Sequence, residues 1–328
     1  MMARRSACEW GTYVAIGDSA SEGLWDLDTQ GNLWGWTDRL AYQLAQRRPA
    51  SDASTASATP GDAAPAVSEP GVSVPSDSEP AGSEPAVSEP AVGVPRSAPP
   101  SPSDERQPLH YANLAIRGQV MSQILDTQLP RAIQLGADLV SITAGGNDML
   151  RPNVSIARLT ARLSSAVRDL RRRGIDVLLV TSSDPAGSPI IEATRPRVSA
   201  FNASLWSIAQ RYDCAVIDQW GLPALRTWPA WSEDRLHLSP AGHALVAEAA
   251  LLALGFEVDR EAVYRVPRGW EDRVATRPSD RVWLQRHAIP WARRHLRGRS
   301  SGDGRTAKRP QPTAVDLVVG PPAVDWEV

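Results

Sequence analysis

Cysteine is scarce in this chain of 328 residues: Cys8 and Cys214 are the only two, which excludes a disulfide framework and leaves two reduced thiols as the expectation. Long hydrophobic runs are missing as well. None approaches the roughly 18 residues a membrane span needs, and the short apolar run that follows Arg4 and Arg5 reads as a strand, not as a signal peptide. With a net charge of −2 there is no global field to attract nucleic acid or an anionic membrane. H-E-x-x-H, a phosphate loop, G-x-G-x-x-G and C-x-x-C do not occur, so zincin, nucleotide and redox chemistry have no support. The expectation is a soluble, cytoplasmic protein with no cofactor, no metal and no nucleic-acid partner.

What the chain does contain is enough apolar residue, 42% against 22% charged, for one sizeable core with appendages. Tyr13-Val14-Ala15-Ile16 is a buried-strand pattern that ends at Gly17-Asp18-Ser19, so Ser19 sits where a strand gives way to a turn. Leu33 to Arg48 has apolar residues at helical spacing, with Trp36, Leu40 and Leu44 on one face. Later strands are read at His110 to Ile116, Asp138 to Thr143, Ile175 to Thr181 and Ala215 to Asp218. Helices are read at Met121 to Leu135, Ser155 to Arg173, Arg195 to Tyr212, and from the Ser239-Pro240 cap to about Leu254. Such alternation predicts a five-stranded parallel sheet covered on both faces, a three-layer α/β/α sandwich.

Between these pieces the composition changes. Prolines fall at 60, 65, 70, 75, 80, 85, 90 and 95, and residues 51–100 carry seven Asp or Glu against one Arg. A pentapeptide repeat of this kind cannot form a core, and an extended, disordered, acidic insert is expected. The chain therefore divides into an N-terminal tail (1–10), a first part of the domain (11–49), the insert (50–104), a second part (105–258) and a C-terminal extension (259–328). Asp280 to Leu296 of that extension reads as an amphipathic helix broken near Pro290, and the rest as polar tail. Arg293 to Arg309 holds seven Arg or Lys against one Asp. This is read as a solvated face, with a membrane surface, nucleic acid or the acidic insert as sharper partners.

Ligands of a parallel sheet bind beyond the carboxyl ends of its strands. Four stretches fall there: the Ser19 turn, Gly118, Gly145-Gly146-Asn147-Asp148, and Asp234-Arg235-Leu236-His237. An Asp three residues before a His can hold one imidazole nitrogen while the other faces a serine. The Ser19 and Gly118 amides and the Asn147 side chain are three neutral donors suited to a developing oxyanion. In order and spacing the four stretches resemble the blocks of the SGNH (GDSL) hydrolase superfamily, over about residues 11–48 and 108–256. The resemblance implies a flavodoxin-like sandwich with strand order 2-1-3-4-5 and cofactor-free hydrolysis of esters, thioesters or related acyl bonds. It further implies Ser19 as nucleophile, His237 as general base and acid, Asp234 as its orienter, and Ser19, Gly118 and Asn147 as the oxyanion hole.

Other residues compete. His243 lies inside the last helix and reads as structural; Asp218 could rival Asp234 but lacks its link to a His. Asp148 reads as a turn or cap residue. Trp25 and Trp231 flank the site and are candidates for a substrate wall facing acyl chains or sugars. The insert joins the first helix to the second strand, so it starts and ends away from Ser19 and is read as a spacer or partner-binding loop, not a lid. The leading reading is an esterase or lipase-like acylhydrolase acting on a small-molecule ester. Alternatives are an acyltransferase to a sugar or alcohol, and a non-catalytic scaffold using insert and tail.

Overall fold

The computed structural model describes residues 10–48, 108–151, 153–188, 191–271, 280–290, 300–324 and 326. The expected N-terminal tail, with Cys8, and the acidic insert lie outside the described residues, as do Trp291, His295 and the first part of the basic run.

Strand β1 (Thr12–Ile16) leads through the short helix α1 (Ser19–Glu22) and a loop to α2 (Trp36–Gln46). Strand β2 (His110–Asn113) is followed by α3 (Met121–Gln123), a π-helical turn Ile124–Gln128 and α4 (Leu129–Gln134), where a single helix was expected. Next come β3 (Leu139–Ile142), α5 (Gly146–Met149), α6 (Ile156–Arg172), β4 (Asp176–Val180), α7 (Arg195–Tyr212) and β5 (Ala215–Ile217). Helix α8 (Pro240–Leu254) opens at the Ser239 cap, whose hydroxyl accepts from the Gly242 amide at 3.1 Å. Beyond it lie α9 (Arg260–Val263), α10 (Asp280–Trp283) and β6 (Arg309–Ala314).

The five strands pair in parallel in the expected order, 2-1-3-4-5. The expectation of five strands needs correction, because β6 adds a sixth, antiparallel to β2, from what was read as polar tail. The sequence Arg-Pro-Gln-Pro-Thr-Ala hides this strand. Proline is tolerated only where no ladder donor is needed, and both prolines, at 310 and 312, share one parity of an edge strand. The segment is fastened further by Lys308, whose Nζ donates to Asp38 Oδ2 at 2.6 Å and to the Trp34 carbonyl at 2.6 Å.

Side chains alternate across the sheet. Tyr13, Ala15, Tyr111, Leu139, Leu178 and Ile217 face one core with α2 and α8, whereas Val14, Ile16, Ala112, Val140 and Leu179 face another with α4, α6 and α7. Trp36, Leu40 and Leu44 of α2 are all buried, as their spacing predicts. The described residues that flank the insert lie at the amino edge of the sheet: His110 N donates to the Gly11 carbonyl at 2.9 Å, and the Arg48 guanidinium bonds the Trp10 carbonyl. Among the described residues, no helix is long and apolar enough to cross a membrane.

Candidate active site

At the carboxyl end of β1 the backbone turns at Gly17, where an added Cβ would stand 2.8 Å from the Thr143 carbonyl oxygen, so only glycine fits. Gln128, delivered by the π-helical turn, clamps this glycine from both sides, accepting from Gly17 N at 2.8 Å and donating to Gly17 O at 2.9 Å. Asp18 caps α1 through a 3.1 Å bond from Ala20 N. Ser19 then opens the helix with its hydroxyl toward His237.

The expected residues of three stretches meet there. His237 Nε2 is 3.0 Å from Ser19 Oγ, and His237 Nδ1 is 2.6 Å from Asp234 Oδ2. With Nδ1–H donated to the carboxylate, Nε2 is left as the acceptor facing the serine. Asp234 Oδ1 takes the Leu236 amide at 2.9 Å, the His237 amide at 3.0 Å and the Ser232 hydroxyl at 2.8 Å. Burial works against its ionisation, but the His237 bond and charge, with these backbone donors, hold the carboxyl far below the usual range. Asp218, the rival carboxylate, accepts instead from Gly221 N at 3.2 Å in its own turn.

Asn147, on α5, donates from Nδ2 to Asp18 Oδ2 and to the Gln119 carbonyl, both at 3.0 Å. Asp18 is only 6% exposed. Burial, with the nearby Asp148 charge, raises its carboxyl to about 6, although the Ala20 amide, His237 and Asn147 pull the other way. Gly118 adopts φ +74°, and Ser300 and Ser301 of the extension crowd the space a side chain there would need. Its loop is tied to α1 by Arg117, which donates to Glu22 through its amide at 2.6 Å and through its guanidinium at 2.5 Å. Asp148 Oδ2 accepts the Met121 amide at 2.8 Å, in keeping with a cap.

His243 is structural. It is 1% exposed, its Nδ1 accepts from Trp36 N at 3.2 Å, its Nε2 donates to the Leu24 carbonyl at 3.0 Å, and burial lowers it to about 4. The two candidate wall residues are engaged with the protein itself. Trp231 Nε1 donates to the Leu225 carbonyl at 2.8 Å and its ring packs against the core. Trp25 Nε1 donates to Asp234 Oδ2 at 2.9 Å. The extension reaches the site as well: Trp283 Nε1 donates to the Asp234 carbonyl at 2.9 Å. Gln128 and Glu22 carried no sequence signal, since each acts through a partner distant in the chain.

A three-layer α/β/α fold with a Ser, His and Asp in contact at the carboxyl edge of a parallel sheet is the frame of an ester-bond hydrolase. Residues 92–245 match the GDSL-like Lipase/Acylhydrolase family, which supports a hydrolase of ester bonds. The matched stretch includes Gly118, Asn147, Asp234 and His237; Ser19 lies before it, on the other side of the insert. A search of curated proteins finds no match. Among solved structures, an Axe2 variant, an acetyl-xylooligosaccharide esterase from Geobacillus, is similar at 18% identity and a TM-score of 0.50, over 79% of this chain and 99% of that one. TesA is similar at 21% identity and a TM-score of 0.47, over 74% of this chain and 98% of that one. These likenesses concern the fold.

Proposed function

We propose that the chain hydrolyses small acyl esters, thioesters or acylated sugars through a serine-bound acyl intermediate. The observation that carries this reading is the continuous Asp234–His237–Ser19 contact, 2.6 Å and then 3.0 Å. His237 Nε2 takes the proton of Ser19 Oγ as the hydroxyl attacks the acyl carbonyl, and Asp234 stabilises the imidazolium that forms. The oxyanion of the tetrahedral intermediate accepts from the Ser19 and Gly118 amides and from Asn147, which exchanges one of its two resting bonds for this one. Collapse of the intermediate expels the alcohol or thiol, which leaves with the proton from Nε2. Water, deprotonated by the same nitrogen, then attacks the acyl-serine, and the acid is released. The test is hydrolysis of p-nitrophenyl acetate, butyrate and octanoate by the wild-type protein and Ser19→Ala. Turnover that depends on the serine supports the reading, and the chain-length profile reports the width of the acyl site. Equal turnover by both proteins would overturn it.

A further inference from the structure

We propose that two tryptophans, Trp25 and Trp283, are positioning residues of this hydrolase: their indole N–H groups hold the Asp234 loop in register with Ser19, which makes the C-terminal extension a working part of the active site. The inference rests on the serine mechanism above.

The loop 232–237 needs such support. It contains no helix or strand turn of its own beyond an isolated bridge between Trp231 and Leu238. Yet it must present Asp234 and His237 to a serine more than 200 residues away in sequence. Trp25 meets it from the nucleophile side. Its indole reaches Asp234 Oδ2, the same oxygen that receives His237 Nδ1, so one carboxylate oxygen is shared between two donors and its direction is defined. Trp283 meets the loop through the Asp234 carbonyl, 49 residues along the chain. Next to Asp234 is Arg235, whose guanidinium stands over two rings, 5.1 Å from the Trp228 ring centre and 5.0 Å from that of Trp283.

The backbone agrees with this assignment. Trp25 has φ +72° and Arg235 has φ +57°, a left-handed conformation that side chains of this size rarely adopt. Strained residues persist where surrounding contacts over-determine them, and these two bracket the Asp234 carboxylate. Trp25 is also 38% exposed, so burial is not what holds its ring in place.

The experiment compares Trp25→Phe and Trp283→Phe with the wild-type protein and Ser19→Ala on p-nitrophenyl acetate, recording kcat, KM and the pH profile of kcat/KM, with thermal melting as the check on folding. Phenylalanine keeps an aromatic face and removes only the donor. In Trp25→Phe the carboxylate loses one donor and holds the protonated imidazole more strongly. We therefore expect kcat to fall about ten-fold with little change in KM, and the acid limb to move to higher pH. Trp283→Phe should lower kcat without moving that limb, because its bond is to a main-chain carbonyl. Should Trp283→Phe fail to fold, Arg235→Gln, which withdraws the cation stacked on the same ring, is expected to lower kcat in its place. A raised KM with unchanged kcat in Trp25→Phe, or wild-type kcat in the Trp283 or Arg235 variant, overturns the proposal. Failure of the serine mechanism itself would show separately, as undiminished turnover in Ser19→Ala.

Discussion

The nucleophile turn and the Asp234 loop approach each other from opposite kinds of structure. Ser19 continues a fully buried strand into a capped helix, and the clamp of Gln128 on Gly17 belongs to the core. Asp234 and His237 stand on an irregular loop tied together by their own hydrogen bonds and by tryptophans. The carboxylates beside the serine differ accordingly: Asp18 is raised to about 6 by burial, whereas the donors around Asp234 depress it. One region is positioned by the sheet, the other by polar contacts, and the two meet where His237 Nε2 stands 3.0 Å from Ser19 Oγ.

Removing the loop's side of that contact should have the largest effect. His237→Ala is expected to lower kcat for p-nitrophenyl acetate by at least about 10,000-fold, measured by initial rates at saturating substrate. On the sheet side, Asn147→Ala should cost roughly 100- to 1000-fold in kcat with KM nearly unchanged, since its donor is used in the transition state.

Stability separates the regions further. Asp26 and Arg39 form a buried ion pair at 2.7 Å beneath the loop that carries Trp25, and Arg39 also donates to the Pro322 carbonyl of the extension at 3.1 Å. Arg39→Met strands the Asp26 carboxylate and should cost about 3–5 kcal/mol in a denaturant titration.

The two carboxylates give opposite pH signatures. Asp18 takes up its proton in the folded state near pH 6 and in the unfolded chain only near the ordinary carboxyl value of 3.8. Acidification between these values therefore favours the folded state, and the benefit is lost as pH rises through 6. Asp18→Asn should be more stable than the wild-type protein near pH 7, by at most on the order of 3 kcal/mol, and the difference should shrink toward pH 4. Asp234, depressed when folded, contributes stability above its unfolded value that is lost on further acidification. Asp234→Asn should thus be less stable than wild type at pH 7, with the gap closing only below about pH 4. Denaturant midpoints of both variants across this range distinguish the two cases.

Much of this arrangement was legible in the chain. The strands and the Ser239-Pro240 cap follow from local pattern, and an Asp-x-x-His turn marks Asp234 and His237 as partners for a serine; the strand order and the role of Ser19 follow from the resemblance to the SGNH blocks. The sixth strand was hidden because Arg309–Ala314 carries two prolines and few apolar residues; it is specified by the free edge of β2, which no local pattern records. Trp25 and Trp231 drew attention as aromatic surface, yet their indole donors serve the protein's own carboxylate and carbonyl. The bond that Trp283 makes was not legible in the sequence. Its partner, the Asp234 carbonyl, is a main-chain atom, so no residue type advertises the contact.

The most direct test of the account is covalent: incubate the wild-type protein and Ser19→Ala with a fluorophosphonate and map the adduct by peptide mass spectrometry. The account predicts one adduct, on Ser19, with loss of ester turnover in proportion to labelling and no adduct in Ser19→Ala. Labelling of another serine, or full turnover after Ser19 is modified, would contradict it.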